Sequence, residues 1–369
     1  MGKCLLCGEK SVTVSDGLGV CLRCIREEPE QTLEITRQKH ARSRSVFGLP
    51  SEPPRDAGGL GCGICANDCV IGVGHGGFCG LVWNVEGHLV RYGGTVEKGV
   101  LEWYYDALPT NCVSWWFCPG CTGSGYPKYA NRPGAEYGYR NLAVFYGACS
   151  HDCLYCQNWH YRELSAKRKP VMGADALAAK VDKHVSCICY FGGDPSPQMP
   201  HSLEVSRLAL EKARDEKRIM RICWETNGYM NPRLAEKAAQ YALESGGNIK
   251  FDLKAWDERM NIALCGASNK PTLDNFRVIG EFCEKRPEIP LLSASTLLVP
   301  GYVDVEEVDG IARFISEIDS EIPYTLLAFY PCYVMKDLPT TSRKQALGCQ
   351  KVAEKYLRNT RIGNLHLLS

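Results

Sequence analysis

From residue 141 onwards, short apolar segments alternate with amphipathic ones. Six segments have the length and apolar character of strands, and each precedes a segment with helical periodicity; they are NLAVFYGA, SCICYFGG, IMRICWETNG, NIKFDLKAW, LLSASTLLVPG and YTLLAFYP. Six strand–helix units favour parallel strands joined by right-handed crossovers. The pattern therefore predicts an α/β fold, a partial (β/α)6 barrel open on one side. In such barrels the chemistry lies at the carboxyl ends of the strands.

Three cysteines follow the first of these strands in GACSHDCLYCQNWH, spaced C-x₃-C-x₂-C. We call Cys149, Cys153 and Cys156 the cysteine triad. Four thiolates close the coordination sphere of a structural zinc ion or of an ordinary iron–sulfur cluster, whereas three leave one metal position open to a small molecule. The alternative is a zinc site completed by His151 or His160.

The chain has 21 cysteines, and most of those outside the triad are also closely spaced. In a chain without an export signal, such spacing indicates metal binding rather than disulfides. The first group, Cys4, Cys7, Cys21 and Cys24, forms two C-x₂-C pairs and predicts a tetrahedral site for zinc or a single iron; we call it the knuckle. The second cysteine set is Cys62, Cys65, Cys69 and Cys79. Its glycine-rich frame fits either metal binding or a loop packed on the core.

Polar and glycine residues stand at three further strand ends. Gly192, Gly193 and Asp194 follow the second strand, Glu225 and Asn227 the third, and Asp252 the fourth. A glycine pair allows close approach of the backbone to a ligand, and carboxylate or amide groups suit ammonium and ribose hydroxyl groups. Together with an open cluster position, these residues predict a ligand that carries an amino acid and a nucleoside. S-adenosylmethionine is such a ligand.

Charge and hydropathy exclude two classes of partner. The 43 basic and 42 acidic residues nearly cancel, so no global field favours nucleic acid or an anionic membrane. No apolar run approaches ~18 residues, and the N-terminus lacks the layout of a signal peptide. We expect a cytoplasmic protein, and the many thiols favour an anaerobic source.

The triad, with Tyr155 just before its third cysteine, resembles the signature of the radical S-adenosylmethionine superfamily. The motifs GGDP and WETNG resemble the later amine- and ribose-binding motifs of that superfamily. The resemblance implies that the triad holds a [4Fe–4S] cluster and that S-adenosylmethionine chelates its fourth iron. It also implies reductive cleavage of the sulfonium, with electrons from a donor such as a ferredoxin or flavodoxin. Asp194 departs from the more usual glutamate.

Over the whole chain, the knuckle, the frame CGICANDC…FCG, LEWYYDALPTNC, FYPCYVMKDLPTTSR and GNLHLLS together resemble the methanogenesis marker 10 radical SAM family of methanogenic archaea. That resemblance implies cobalamin as a further cofactor and C-methylation of an arginine in the alpha subunit of methyl-coenzyme M reductase. An unactivated C–H bond requires a radical, which is compatible with this reaction. No D-x-H-x-x-G motif marks a histidine for the cobalt.

The sequence predicts four regions: the knuckle and a linker (residues 1–58, with a short helix after residue 26), a cysteine-rich region (59–140), the radical SAM core (141–290), and the end of the barrel with a cobalamin-binding part (291–369). Tyr105, or its neighbour Tyr104, is a candidate to line the cluster pocket. Asp252 or Asp304 is a candidate to hold the substrate arginine, although Asp304 also suits a helix N-cap. The tryptophans of NCVSWWFCPGC are core or cofactor-facing.

Two alternatives remain open at this point. The first is an activating enzyme that abstracts hydrogen from a glycine of a partner protein without cobalamin, since it shares every barrel motif. The second, of another class, is a non-catalytic zinc-knuckle scaffold. Zinc rather than iron at the triad would favour the scaffold.

Overall fold

A computed structural model describes residues 1–110 and 112–369. Its strands are β1 (Gly2–Lys3), β2 (Lys10–Ser11), β3 (Leu60–Gly61), β4 (Val70–Ile71), β5 (Val82–Val85), β6 (His88–Arg91), β7 (Gly99–Ala107), β8 (Arg140–Tyr146), β9 (Val171–Met172), β10 (Val185–Gly192), β11 (Arg221–Thr226), β12 (Ile249–Asp252), β13 (Leu292–Leu298), β14 (Tyr324–Ala328) and β15 (Thr360–Gly363). Its α-helices are α1 (Leu22–Glu27), α2 (Pro29–Ser45), α3 (Pro119–Thr122), α4 (Tyr161–Lys167), α5 (Ala174–Ala178), α6 (Met199–Asp215), α7 (Pro232–Ser245), α8 (Glu258–Cys265), α9 (Lys270–Gly280), α10 (Val305–Ser316) and α11 (Arg343–Ala353).

Among the described residues, nine strands form one sheet in the order β15-β14-β13-β12-β11-β10-β8-β7-β9. Every neighbouring pair from β8 to β15 is parallel, and β7 and β9 extend the other edge antiparallel. The six predicted strands are β8 and β10 to β14. The α/β prediction with a parallel sheet is therefore confirmed.

A seventh parallel strand, β15, was not predicted. It has four residues, TRIG, and lacks the apolar run by which the other six are recognised. It pairs with β14 after the amphipathic helix α11, so tertiary pairing rather than local pattern defines it. Residues 291–369 therefore contain β13, β14 and β15 of the main sheet, and cobalamin binding there stays a prediction.

Aromatic side chains fill the layer between the sheet and its outer helices. Phe251 of β12 packs edge to face on Phe276 of α9, with ring centroids 5.3 Å apart, and Phe276 contacts Phe314 of α10. All three are fully buried. Burial of each contributes roughly 1.5–3 kcal/mol, so this layer fixes the strands whose ends carry the polar residues.

The segment predicted as a short helix and linker after residue 26 instead contains α2, a helix of 17 residues. The predicted helix is present but longer than expected, because a helix that is rich in charge and has no apolar stripe gives no sequence signal for its length. Its buried face is polar, with His40 and Ser43 both hydrogen-bonded to Asp152 of the triad loop. This buried face anchors α2 to the barrel.

Short antiparallel hairpins precede the barrel. β5 and β6 pair around the Glu86–Gly87 turn, as the alternating sequence predicts, and β3 pairs with β4 within the second cysteine set. In the described part of the chain, no helix combines the length and apolarity needed to cross a bilayer.

Candidate active site

The cysteine triad lies just beyond the carboxyl end of β8. Cys149 follows the last residue of that strand by three positions, and the loop passes Cys153 and Cys156 before α4 begins. All three thiols line one cavity of about 350 Å³, together with residues that follow β10, β11 and β12. The fold thus gathers the predicted strand-end residues around the triad, where barrels of this class place their chemistry.

The sulfur positions distinguish a cluster from a single ion. A tetrahedral ion with metal–thiolate bonds of about 2.3 Å holds its sulfurs about 3.8 Å apart. The knuckle meets this requirement, since Cys4 Sγ lies 3.8 Å from Cys24 Sγ and Cys7 Sγ lies 3.7 Å from Cys21 Sγ.

Within residues 1–110 and 112–369, the knuckle is the one group of three or more such ligand atoms that all lie within 4.8 Å of one another. The triad with His151 or His160 therefore does not form a single-ion site. A four-iron cluster, in which each cysteine binds a different iron, keeps its thiolates further apart. Three thiols around one cavity are compatible with that arrangement.

One of the four knuckle thiols has a lowered pKa, whereas burial raises the pKa of two others, Cys21 and Cys24. Cys4, Cys21 and Cys24 are buried, whereas Cys7 is exposed. The Glu9 backbone and the neighbouring Cys24 thiol lower the pKa of Cys7 to about 6, which makes it a thiolate at neutral pH. Since thiolates are the metal-binding form, these four residues could hold one zinc or iron ion.

Hydrogen-bond donors already point at the triad. The His151 N–H donates to Cys149 Sγ over 3.4 Å, and the Asn227 amide contacts the same sulfur at 3.7 Å. Burial raises the pKa of Cys156 to about 11 and that of Cys149 well above its usual value. The metal-free thiols are therefore protonated at neutral pH, and cluster binding displaces their protons.

The glycine pair is required by packing as well as by the cavity. A Cβ on Gly193 would lie 2.3 Å from the Ala148 carbonyl oxygen, and one on Gly192, where φ is +117°, would lie 2.5 Å from the Tyr146 nitrogen. Both glycines line the cavity. These glycines therefore allow their own backbone to pack closely against the end of β8 and the loop that carries the triad.

Asp194 is engaged by the protein rather than free for an amine. Its carboxylate accepts from the Ser196 N–H at 2.7 Å, the Asn227 N–H at 2.6 Å and the Thr226 hydroxyl at 3.1 Å. It is 3% exposed, and burial raises its pKa. The geometry makes Asp194 the residue that joins the loops after β10 and β11, and so positions Asn227 beside Cys149.

A chain of alternating charges crosses the cavity floor. Lys250 Nζ lies 3.3 Å from Glu225 Oε2 and 2.8 Å from Asp252 Oδ1, and Lys254 Nζ lies 3.2 Å from Asp252 Oδ2. Burial opposes ionisation of Asp252, but the two lysine charges hold its pKa well below the usual value. Asp252 stays ionised, with a lysine on each oxygen.

The two carboxylates predicted to hold an arginine are therefore already paired. Besides the two lysines, Asp252 accepts from the Ser295 hydroxyl at 2.6 Å. Asp304 caps α10, accepting from the Glu306 and Glu307 N–H groups, and forms an ion pair with Arg26. The N-cap interpretation of Asp304 is correct. Asp252 belongs to the cavity electrostatics, and a substrate guanidinium would compete with its lysines.

The imidazole ring of His151 lies in the cavity wall. Its side chain is buried, and neither ring nitrogen finds a partner among the described residues. Burial, with a smaller contribution from the Lys254 charge, lowers its pKa to about 3, so the ring is neutral. An unsatisfied buried polar group costs roughly 1–3 kcal/mol, which a polar ligand would recover.

These features fit S-adenosylmethionine. The cavity has the size of a small-molecule site, and its charges complement a zwitterionic methionine moiety. The Lys254 ammonium suits a carboxylate, and Glu225 suits ribose hydroxyls. The unpartnered imidazole of His151 supplies one further donor or acceptor.

Tyr155 lies at the cavity as expected, whereas Tyr105 does not. Tyr155 is buried, and its hydroxyl lies 3.5 Å from the thiol of Cys265, a cysteine that does not line the cavity. Tyr105 pairs with Leu142 near the start of β8, the end far from the triad, and its hydroxyl donates to the Lys180 carbonyl at 2.7 Å. Tyr104 packs edge to face on Phe191 and also lies outside the cavity lining. The cluster-pocket role expected of Tyr105 is therefore corrected.

Several cavity residues were not predicted as site residues. Lys250, within β12, has no sequence signal of a site residue, whereas the sequence does indicate Lys254, which stands with Asp252 at the end of that strand in FDLK. Trp115 and Trp116 line the cavity, and contact between this pair and a cofactor stays a prediction. Arg361 lies over the Trp115 ring at 4.4 Å, and it had no sequence signal because β15 itself had none.

The chain matches the family described as the radical SAM superfamily over residues 143–315. The Methanocaldococcus jannaschii protein named "Putative glycyl-radical enzyme activating enzyme MJ1632" is 30% identical over 217 residues, 57% of this chain and 76% of that protein. "Uncharacterized protein MJ0808" of the same organism is 24% identical over 322 residues, 82% of this chain and 81% of that protein.

Solved structures align more distantly. The crystal structure of Streptococcus suis SuiB bound to the precursor peptide SuiA aligns with a TM-score of 0.43 at 15% identity and covers 59% of this chain. This chain spans 47% of the SuiB chain, less than half of its length.

Proposed function

The chain belongs to the radical SAM superfamily, and on that premise we propose that it abstracts a hydrogen atom from a polypeptide substrate bound over the strand-end cavity. The observation that carries the proposal is the triad itself, three thiols spaced for a cluster on the wall of a charged cavity of about 350 Å³. When bound, the cluster and S-adenosylmethionine supply reductive sulfonium cleavage and a carbon radical able to remove hydrogen from an unactivated C–H bond.

The chain's own residues hold and orient the ligand in this proposal. Lys254, buried beside the triad, binds the methionine carboxylate. Glu225, partly exposed to the cavity, accepts from the ribose hydroxyls. Asp194 and Asn227 fix the loop around Cys149. The buried walls exclude water from the reacting carbon, which protects a radical from side reactions.

Two finer functions are compatible with this chemistry. The resemblance to the methanogenesis marker 10 family supports C-methylation of an arginine in the methyl-coenzyme M reductase alpha subunit, and the convergence of the knuckle thiols agrees with it. The relative named as a glycyl-radical enzyme activating enzyme favours the alternative, hydrogen abstraction from a glycine of a partner protein. A non-catalytic scaffold has no use for the charged cavity.

Cobalamin binding rests on the family resemblance. The strand-end cavity of about 350 Å³ has the size of a small-molecule site, and its histidine, His151, is buried within the triad loop. Residues 291–369 supply strands of the main sheet. Methylation is therefore supported by the resemblance rather than by a cobalt ligand identified among the described residues.

Isotope transfer tests the proposal and separates the two finer functions. The reconstituted chain is incubated anaerobically with S-adenosylmethionine, reductant and one of two peptides. One peptide is derived from the reductase and carries a deuterated arginine side chain, and the other carries an α-deuterated glycine. We expect deuterium to appear in 5′-deoxyadenosine with one peptide and not with its undeuterated control.

The label identifies the substrate carbon. Transfer from arginine together with replacement of the lost deuterium by a methyl group in the peptide mass spectrum, dependent on added methylcobalamin, identifies the methyltransferase. Transfer from glycine without a mass gain, accompanied by a glycyl radical in the electron paramagnetic resonance spectrum, identifies the activating enzyme. If 5′-deoxyadenosine forms at the same rate without peptide and remains unlabelled with both, neither candidate function stands.

A further inference from the structure

Among the described residues, one cation of the strand-end cavity forms no ion pair. Arg361 of β15 lines the same cavity as the triad, and its guanidinium lies over the Trp115 ring at 4.4 Å. The other two cations of the lining, Lys250 and Lys254, are both paired with carboxylates. Arg361 is partly buried, so its charge has lost part of its water without gaining a carboxylate partner.

The two tryptophans hold this guanidinium at the cavity. A cation–π contact attracts an arginine to an aromatic ring and leaves its N–H donors free for an acceptor. The neighbouring indole is anchored to the same strands, because Trp116 Nε1 donates to the Thr325 hydroxyl at 3.3 Å, and Thr325 is the register partner of Arg361. Arg361 is therefore a positioned donor for an anionic ligand.

S-adenosylmethionine does not supply the missing anion. In the proposed function its single carboxylate binds Lys254 beside the triad, and its ribose and adenine carry no negative charge. In the sheet, β15 is separated from β8, the strand that precedes the triad, by β10, β11, β12, β13 and β14. The acceptor for Arg361 therefore belongs to the second reactant, the polypeptide.

The position of β15 suits contact with a polypeptide. It pairs with β14 and, within the described residues, forms the edge of the sheet. Its last residue, Gly363, and the following Asn364 line the cavity. The open edge of the barrel and the cavity meet at this strand, so a polypeptide that enters over this edge passes Arg361.

We propose that Arg361 binds a carboxylate of the polypeptide substrate, and that the substrate is therefore acidic next to the residue that loses hydrogen. This inference rests on the proposed function and names the class of substrate for it. A guanidinium pairs with a carboxylate through two parallel hydrogen bonds, which fix orientation as well as adding binding energy. Arg361 is thus a residue that selects and orients the substrate, and it does not touch the reacting atoms.

Peptide binding tests the proposal without any radical step. The arginine and glycine peptides are labelled with an uncharged fluorophore and made in three versions. The first has glutamate on both sides of the target residue and an amidated C-terminus, and the second has glutamine there instead. The third has glutamine and a free carboxylate directly after the second glutamine. Fluorescence anisotropy gives their affinity for the reconstituted, unreduced chain with S-adenosylmethionine.

We expect wild type to bind a carboxylate version of one peptide about tenfold or more tightly than the amide-only glutamine version. Arg361→Gln should bind all versions with the weaker affinity, and Arg361→Lys should keep part of the preference. The matched control is Arg358→Gln, an exposed arginine that pairs with Glu321 outside the cavity, and it should keep the wild-type preference.

Each outcome decides the question. A preference for glutamate assigns the acceptor to a side chain, and a preference for the free carboxylate assigns it to a chain end. Equal affinity of wild type for all versions would overturn the proposal even if Arg361→Gln did not fold, and a preference that Arg361→Gln leaves intact would overturn it as well. A preference that depends on Arg361, without deuterium in 5′-deoxyadenosine, would refute the proposed function and leave this inference standing.

Discussion

The variant with alanine at Cys149, Cys153 and Cys156 will form no 5′-deoxyadenosine from S-adenosylmethionine under reducing conditions. The three thiols line the strand-end cavity, together with Cys112, and their spacing predicts that they are the ligands of the cluster; without the cluster no electron reaches the sulfonium. Removal of a cofactor that carries the chemistry eliminates the reaction rather than slowing it. Chromatography of the nucleoside products, with visible absorbance for cluster content, measures both effects.

The control for this prediction is Cys283→Ala, which removes a thiol remote from the cavity. It should retain the wild-type rate and absorbance. If the triad variant still released 5′-deoxyadenosine, the cluster would have to be held by other residues.

The variant Asp152→Asn will lose a large part of the folding stability. The Asp152 carboxylate is buried and accepts from Arg162 Nε at 3.1 Å and from His40 Nδ1 at 3.0 Å. Arg162 is itself fully buried. Removing one partner of a buried ion pair costs about 3–5 kcal/mol because the other charge stays buried. Urea unfolding at neutral pH measures the difference in the free energy of unfolding between the variant and wild type.

The pH dependence of this loss follows from the carboxylate. Burial alone would raise the pKa of Asp152, but the His40 hydrogen bond and the Arg162 and Arg44 charges hold it below its usual value. A depressed folded-state pKa gives stability that is complete above about pH 4 and is lost as the pH falls through that pKa. The difference in the free energy of unfolding between wild type and Asp152→Asn should therefore become smaller in acid.

The matched control is Asp274→Asn, an exposed carboxylate paired with exposed Arg277. Exposed pairs contribute little, so this variant should unfold at the wild-type urea concentration. Equal stability of the Asp152 variant and wild type would show that the polar face of α2 does not anchor the triad loop.

Sequence patterns predicted the strands of the barrel well, because each central parallel strand is a near-continuous apolar run. β15 lacked such a run, and α2 lacked an apolar stripe, so both depended on partners that lie far away in the chain. The triad was predictable from spacing alone. The partner of each cavity residue was not predictable, since it depends on distances between residues from different strands.

Asp252 and Asp194 illustrate that limit. Each stands at a strand end, where a carboxylate suggests ligand binding. Asp252 instead forms ion pairs with two lysines, and Asp194 accepts hydrogen bonds from the loops around it. The expectation for Tyr105 was wrong for a related reason. An alternating strand pattern indicates the face of the sheet on which a residue lies, but not the residue of the neighbouring strand with which it pairs. The register with β8 places Tyr105 at the end of β8 that is far from the triad.

In our proposal the triad holds a cluster that cleaves S-adenosylmethionine in the strand-end cavity. The yield of 5′-deoxyadenosine tests this when the reconstituted wild-type chain is reduced with dithionite in the presence of S-adenosylmethionine, without any peptide. We expect 5′-deoxyadenosine and methionine to appear in equal amounts. If S-adenosylmethionine stays intact although the chain has bound its full iron and sulfide, the triad does not hold a cluster of this kind.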